Sequence, residues 1–442
     1  MMLLIAAIGV WLYITWKNNE EGIYNLSEFV QVLTIDTSEK FQTINPTLAP
    51  KSSKTPALDN HAGDIAFDPE FSPYYAQLTE SEKELYALVY DAIERYDEQL
   101  TLDYDIDQKS IDRAMLSLFK DQPQFFWIDT KYATQIVKSA IKTKITITFS
   151  YNELFNNITY HKQKFDAAVD KIISKAKTYE SIEDQELYIH DYIAKNTSYV
   201  DNAPYNQTAY SAIVNHQSVC AGHARAFQLL MKKLGVPCYY CTGTAVNEET
   251  GAEETHGWNI VKIDDKYYNV DVTWDKIESK DYPQFKNNVV IYKYFNRTDD
   301  YFNKYRHTRE SDVSDEAMPL PDCRDEASSF DNVFGLPQIA KSFSSEFDIS
   351  VDDVVQNLNE YFLRCYSTIS KSGKSKVDQY MIITGKSTKD DIEHHTNQQR
   401  YDGYLKQLFE NKYKKYTKYK LDSTTIAIGE DIWFMELHHS FM

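Results

Sequence analysis

The chain has 442 residues, enough for two or three domains, and 42% hydrophobic with 26% charged residues is ordinary for folded protein. Its formal net charge of -19 excludes nucleic acid as a natural partner, because the phosphates would be repelled. With only 13 glycines there is no phosphate-cradling loop and no dinucleotide motif, and no cofactor is implied.

In chain order, residues 1–16 (MMLLIAAIGVWLYITW) form one apolar run, slightly short of the roughly 17–25 residues of a membrane span. Trp11 and Trp16 suit the interface belt, and no small-x-small cleavage site follows. We expect an uncleaved single-pass anchor with the folded domains outside the cytoplasm. The nearest charge, Lys17, follows the run and gives no positive-inside support. Residues 17–77 read as a flexible linker, with Pro46, Pro50, Pro56, Pro69 and Pro73 among Ser, Thr and Lys.

Residues 78–155 read as a small α+β domain. Thr79 and Glu82 make a capping box, and Leu85, Leu88, Val89, Ala92 and Ile93 form the stripe of the helix that follows. Ile111, Ala114, Met115 and Leu118 mark a second helix, and 125–128 and 145–149 read as strands.

Residues 156–318 carry the chemistry. Phe165, Val169, Ile172 and Ile173 mark one helix and 184–195 another. Cys220 then opens an apolar helical run with Phe227, Leu230, Met231 and Leu234. Sulfur at a helix start meets unpaired backbone N–H groups and the positive dipole end, which favour thiolate. The pair Cys238 and Cys241 lies in a strand and points to opposite faces, so no metal site forms there. Five scattered cysteines are not a disulfide scaffold. An acidic loop over 243–255, with Glu248 and Glu249, runs into His256; these glutamates and Trp258 are candidate substrate contacts.

Strands at 257–263 and 266–273 flank Asp264-Asp265, a two-residue hairpin turn. Pairing Ile263 with Lys266 sets Trp258 opposite Asp271 and His256 opposite Thr273. His256, Trp258 and Asp271 then share one face, since side chains alternate with period two. A thiolate needs a base to manage its proton, and the base an orienting carboxylate; His256 and Asp271 are the candidates.

Residues 319–329 read as a boundary and 330–442 as a C-terminal α+β domain. Helices are expected at 351–366 and 398–413, and strands at 379–384, 424–428 and 432–437. The adjacent pairs His394-His395 and His438-His439 would each split between faces in extended structure, which argues against metal binding.

The segments VCAGHARAFQLLMKKLGVPC, HGWNIVKI and YYNVDVTWD resemble the transglutaminase-like core, a papain-like superfamily of cysteine acyltransferases, peptidases and amidases. The resemblance covers about residues 188–275, with a fainter likeness to bacterial surface proteins in the flanks. It implies an α+β fold: a papain-like core whose Cys-bearing helix packs on an antiparallel sheet, with small α+β domains on either side. It further implies Cys220 as nucleophile, His256 as general base and Asp271 as orienter of the base. The Cys220 N–H would serve the oxyanion, with Tyr210 or Gln217 as candidate second donors. The implied partner is a protein or peptide substrate at the cell surface. A catalytically silent scaffold built on the same core is the alternative, and the residues do not choose among hydrolysis, deamidation and crosslinking.

Overall fold

The computed structural model describes residues 67–442 except 104, 139–142, 248–249, 283–284, 314–316, 345, 348, 398–409 and 417. The expected anchor and residues 17–66 of the expected linker lie outside the described residues, while Pro73–Ala76, at the expected linker's end, is a short helix with Pro73 and Tyr74 buried. Among the described residues, no helix is long and apolar enough to cross a membrane. The chain divides into two compact units. One holds the residues up to Val169 with Pro237–Gly257 and Arg306–Leu320; the other holds Asp170–Val236, Trp258–Tyr305 and Pro321–Met442.

In the first unit, helix α1 (Glu80–Glu94) starts at the expected capping box. The Glu82 carboxylate accepts from the Thr79 N–H at 2.8 Å, and Thr79 Oγ1 accepts from the Glu82 N–H. Its stripe of Leu85, Val89, Ala92 and Ile93 is buried. Strand β1 (Gln99–Leu102) precedes helix α2 (Gln108–Asp121), capped by Asp107. Strands β2 (Ile128–Lys138) and β3 (Thr143–Tyr151) complete an antiparallel sheet of order β1-β3-β2. Residues 125–127, expected as strand, are instead a buried turn, and β2 begins only at Ile128. Here three aromatics bury ring against ring, Phe125 and Phe126 at 5.4 and 5.1 Å from Trp127, without needing a ladder. Helix α3 (Ile158–Ala176) leaves this unit at Val169. Strand β4 (Cys238–Val246) pairs with Thr308–Arg309, and strand β5 (Glu253–Ile263) begins here.

The second unit contains helix α4 (Ile182–Asn196), capped by Ser181, and helix α5 (Cys220–Leu234), closed by Gly235 at φ 83°. Strand β6 (Lys266–Val270) pairs antiparallel with β5 in the expected register from Ile263↔Lys266 to Asn259↔Val270. It ends there, short of the expected Thr273 and of the expected pairs Trp258–Asp271 and His256–Thr273, because the chain turns at 272–274. Asp264 and Asp265 both have positive φ, 47° and 63°, the left-handed pair that a tight hairpin requires.

Further on, Val354–Val355, expected inside a helix, is a short strand, and helix α6 (Leu358–Ser372) starts later, at the Asn357 cap. β-Branched neighbours favour that outcome. Strand β7 (Lys376–Thr384) pairs with Val354–Val355 and with the last strand. Helix α7 (Lys386–Asn397) carries His394 and His395, which corrects the extended reading of that pair. Strands β8 (Tyr419–Gly429) and β9 (Ile432–Phe441) complete a four-stranded sheet. His438 and His439 do split between faces: His438 is half-buried against Asp378, while His439 is buried between Tyr419 and Gln379. Tyr361, Cys365, Ile369 and Ile392 pack on one face of this sheet, and Phe285, Phe343 and Phe347 on Phe434 of the other. Most of the expected 398–413 helix lies outside the described residues.

Candidate active site

Cys220 is the first residue of α5 and is half-buried, whereas Ala221, Gly222, His223 and Ala224 behind it are buried. The N-cap is Val219, so no side-chain acceptor caps the first turn, and no acidic residue lies in that turn. Lys232 and Lys233 occupy the last turn. The dipole is thus complemented at its C-terminal end and left positive at the cysteine.

The approach to Cys220 is locked by backbone acceptors. The Asn206 carbonyl accepts from Ser218 Oγ at 2.6 Å and from the Val219 N–H at 3.2 Å. A side chain at Gly222 would lie 1.9 Å from Ser218 Oγ and 2.5 Å from that carbonyl, so only glycine lets this loop approach the helix. Tyr210 is buried and starts the short turn 211–215; Gln217 is exposed, on a two-residue strand three positions before Cys220.

Asp271 follows β6 and is 1% exposed. Its Oδ1 accepts from the Thr273 and Trp274 N–H groups at 2.9 and 3.2 Å, and its own N–H donates to the Tyr294 carbonyl at 3.0 Å. The carboxylate is therefore held at a set angle by an Asx-type turn.

His256 lies on β5 in the first unit and is buried, its ring edge-on to that of His307 at 5.7 Å. The next residue must be small: a Cβ on Gly257 would sit 2.8 Å from the Tyr240 ring and from its hydroxyl. Trp258, a candidate substrate contact, is an interior residue. It is 1% exposed, its indole N–H donating to Asn269 Oδ1 at 3.1 Å. Glu248 and Glu249 lie outside the described residues.

Sequence reasoning passed over two buried polar groups in the second unit. In one, His190 Nε2 meets Asp275 at 3.0 Å and its Nδ1 lies 3.7 Å from Asp191. Burial pulls the His190 pKa down, but the two carboxylates outweigh it and raise it to about 9. Burial raises Asp275, and the facing imidazolium only partly offsets this. His190 is held in its charged form, because two carboxylates flank one ring. In the other group, Lys276 Nζ meets Glu278 at 2.8 Å and the Thr197 carbonyl at 2.6 Å, beside His223. Burial pulls Lys276 down, while Glu278, pushed up by its own burial, is held below the usual carboxylate range by the Lys276 charge. Acceptors surround Nζ, so the pair is read as ammonium and carboxylate. The only signals in sequence were that His223 follows Cys220 by three residues and Asp275 follows Asp271 by four.

A half-buried cysteine at a helix start and an aspartate fixed in the turn after a hairpin thus lie in one unit built of helices and sheets. Residues 166–272 match the model of the transglutaminase-like superfamily, and the chain carries a transglutaminase-like core. Among solved structures, it is similar to one described as the crystal structure of a TGase. That match has 17% identity and a TM-score of 0.22 over 40% of this chain and 50% of that one. It is also similar to the periplasmic domain of TgpA from Pseudomonas aeruginosa, with 11% identity and a TM-score of 0.21 over 30% of this chain and 56% of that one. The chain thus spans about half the length of these solved chains. No curated protein matches it.

Proposed function

We propose that this chain is a thiol enzyme acting on peptide or glutamine carboxamide bonds through Cys220, His256 and Asp271. The Cys220 thiolate adds to the carbonyl carbon, and the oxyanion is met by the Cys220 backbone N–H, with Tyr210 or Gln217 as candidate second donors. His256 gives its proton to the leaving nitrogen, and ammonia or an amine departs as the thioester forms. Water or a lysine amine then attacks the thioester, losing its proton to His256 and returning the cysteine to thiolate. Asp271 holds the imidazole in the useful tautomer and stabilises its cation.

The observation that supports this reading most is the hairpin register. The ladder runs to Asn259↔Val270; Asp271 leaves it at the next residue, in a turn fixed by its own carboxylate, while His256 lies three residues before Asn259 on β5. The test is alkylation of Cys220 by iodoacetamide across pH, read by peptide mass on the full chain. A catalytic thiolate stays reactive at about pH 6, whereas a silent scaffold's cysteine follows an ordinary thiol with a pKa near 8.5.

We also infer that residues 1–16 anchor the enzyme in a membrane with the linker and folded units outside the cytoplasm. The apolar run and the proline-rich stretch after it support this. Protease shaving of intact cells should release the folded units, and protection until lysis would reverse the topology.

A further inference from the structure

His223 is 0% exposed and lies on α5 three residues after Cys220, one helical turn along the same face. Its Nδ1 is 3.3 Å from Thr273 Oγ1, and its Nε2 is 3.5 Å from Lys276 Nζ. An ammonium has donors only, so Nε2 must accept from Lys276. The ring proton then sits on Nδ1, and His223 donates to the Thr273 hydroxyl. The Thr273 N–H in turn donates to Asp271 Oδ1 at 2.9 Å. From the helix that carries the cysteine to the turn that carries the carboxylate, the link therefore runs through one imidazole of defined tautomer.

The surroundings fix that imidazole further. The Tyr199 ring stacks on it, with centroids 6.3 Å apart and planes 27° apart. The Tyr199 N–H donates to Glu278 at 2.6 Å, and Glu278 in turn holds Lys276. Apolar residues of similar volume would fill this space at no desolvation cost, so stability alone does not call for a buried lysine, glutamate and histidine. A network with matched donors and acceptors does supply a single geometry.

We propose that His223 is a positioning residue: its Nδ1–H, set by Lys276, holds the Thr273 turn and with it the angle of the Asp271 carboxylate relative to the Cys220 helix. This rests on the thiol reading of the site, and it assigns His223 no contact with substrate.

The test is the pH profile of Cys220 alkylation in full-length His223→Leu, His223→Asn and Thr273→Val, with thermal unfolding run on each. In His223→Asn the amide nitrogen replaces Nδ1–H, so that variant should stay within about threefold of wild type at pH 6. His223→Leu and Thr273→Val should each lose at least roughly tenfold at pH 6 and follow an ordinary thiol. If His223→Leu does not fold, Thr273→Val, which only exchanges a hydroxyl for a methyl, carries the test. Selective 15N labelling of histidine adds a readout that simple packing would not move: His223 should be protonated on Nδ1, and Lys276→Met should abolish that preference. Folded His223→Leu and Thr273→Val proteins with wild-type profiles, or a His223 protonated on Nε2, overturn the proposal while leaving the thiol reading intact. An ordinary-thiol profile in wild type overturns both.

Discussion

At Asp271 one carboxylate serves two purposes that a single substitution separates. Oδ1 shapes the turn by accepting two backbone N–H groups, and an asparagine retains that oxygen. The negative charge, in the proposed mechanism, sets the tautomer of His256 and stabilises its cation. Asp271→Asn should therefore leave the melting temperature nearly unchanged while lowering turnover on the order of a thousandfold. Unchanged turnover would remove Asp271 from the chemistry, and a collapse in stability would make it a turn-former only. The candidate residues of the site could be picked from sequence because each carries a local cue: a helix start, a strand and a turn. The grouping of His223, Lys276, Glu278 and Tyr199 could not, because it depends on how segments some eighty residues apart in the chain meet (199 to 278). Nor did the sequence reveal that Trp258 is interior, since an aromatic beside a candidate histidine reads equally well as a contact or as core.

The β5/β6 hairpin is the element on which the site reading depends. Its register was legible in advance because a two-residue turn and apolar alternation are both short-range rules. Asp264 and Asp265 occupy a left-handed pair at φ 47° and 63° that asparagine and glycine adopt with less strain. The double change Asp264→Asn with Asp265→Gly should raise the melting temperature by about 1–2 °C and leave alkylation of Cys220 unaltered. A fall in melting temperature would mean that the turn is not the one described. Helix α7 illustrates the opposite case. Its sequence KSTKDDIEHHTN buries little beyond Ile392, so no apolar period marks it, and helix appears only once it packs beside α6. In the sequence, Val354–Val355 merges with a neighbouring helix pattern for a related reason: two β-branched residues are too few to register as a strand until β7 lies beside them.

For the molecule as a whole, stability should carry the signature of the buried His190 cluster. His190 has a folded pKa raised to about 9 against about 6.5 when unfolded, so its contribution is fully present below about pH 6.5 and is lost as pH rises through 9. Glu186, which burial raises to about 8, acts in the same direction, since a carboxyl favoured in its neutral form loses stability as pH rises. Urea unfolding should therefore lose on the order of 4–5 kcal/mol between about pH 6.5 and 9, and His190→Gln should remove about half of that loss. A wild-type stability that is constant or rising over this window would contradict the charged His190.

Acyl chemistry at Cys220 is tested most directly by intact-mass analysis of glutamine- and lysine-containing peptides incubated with wild type and with Cys220→Ala. Product is expected with wild type alone, as ammonia loss, cleavage or a glutamine–lysine adduct, each with its own mass change. Equal conversion by Cys220→Ala, or none by wild type across a diverse peptide mixture, would contradict the assignment of Cys220 as nucleophile.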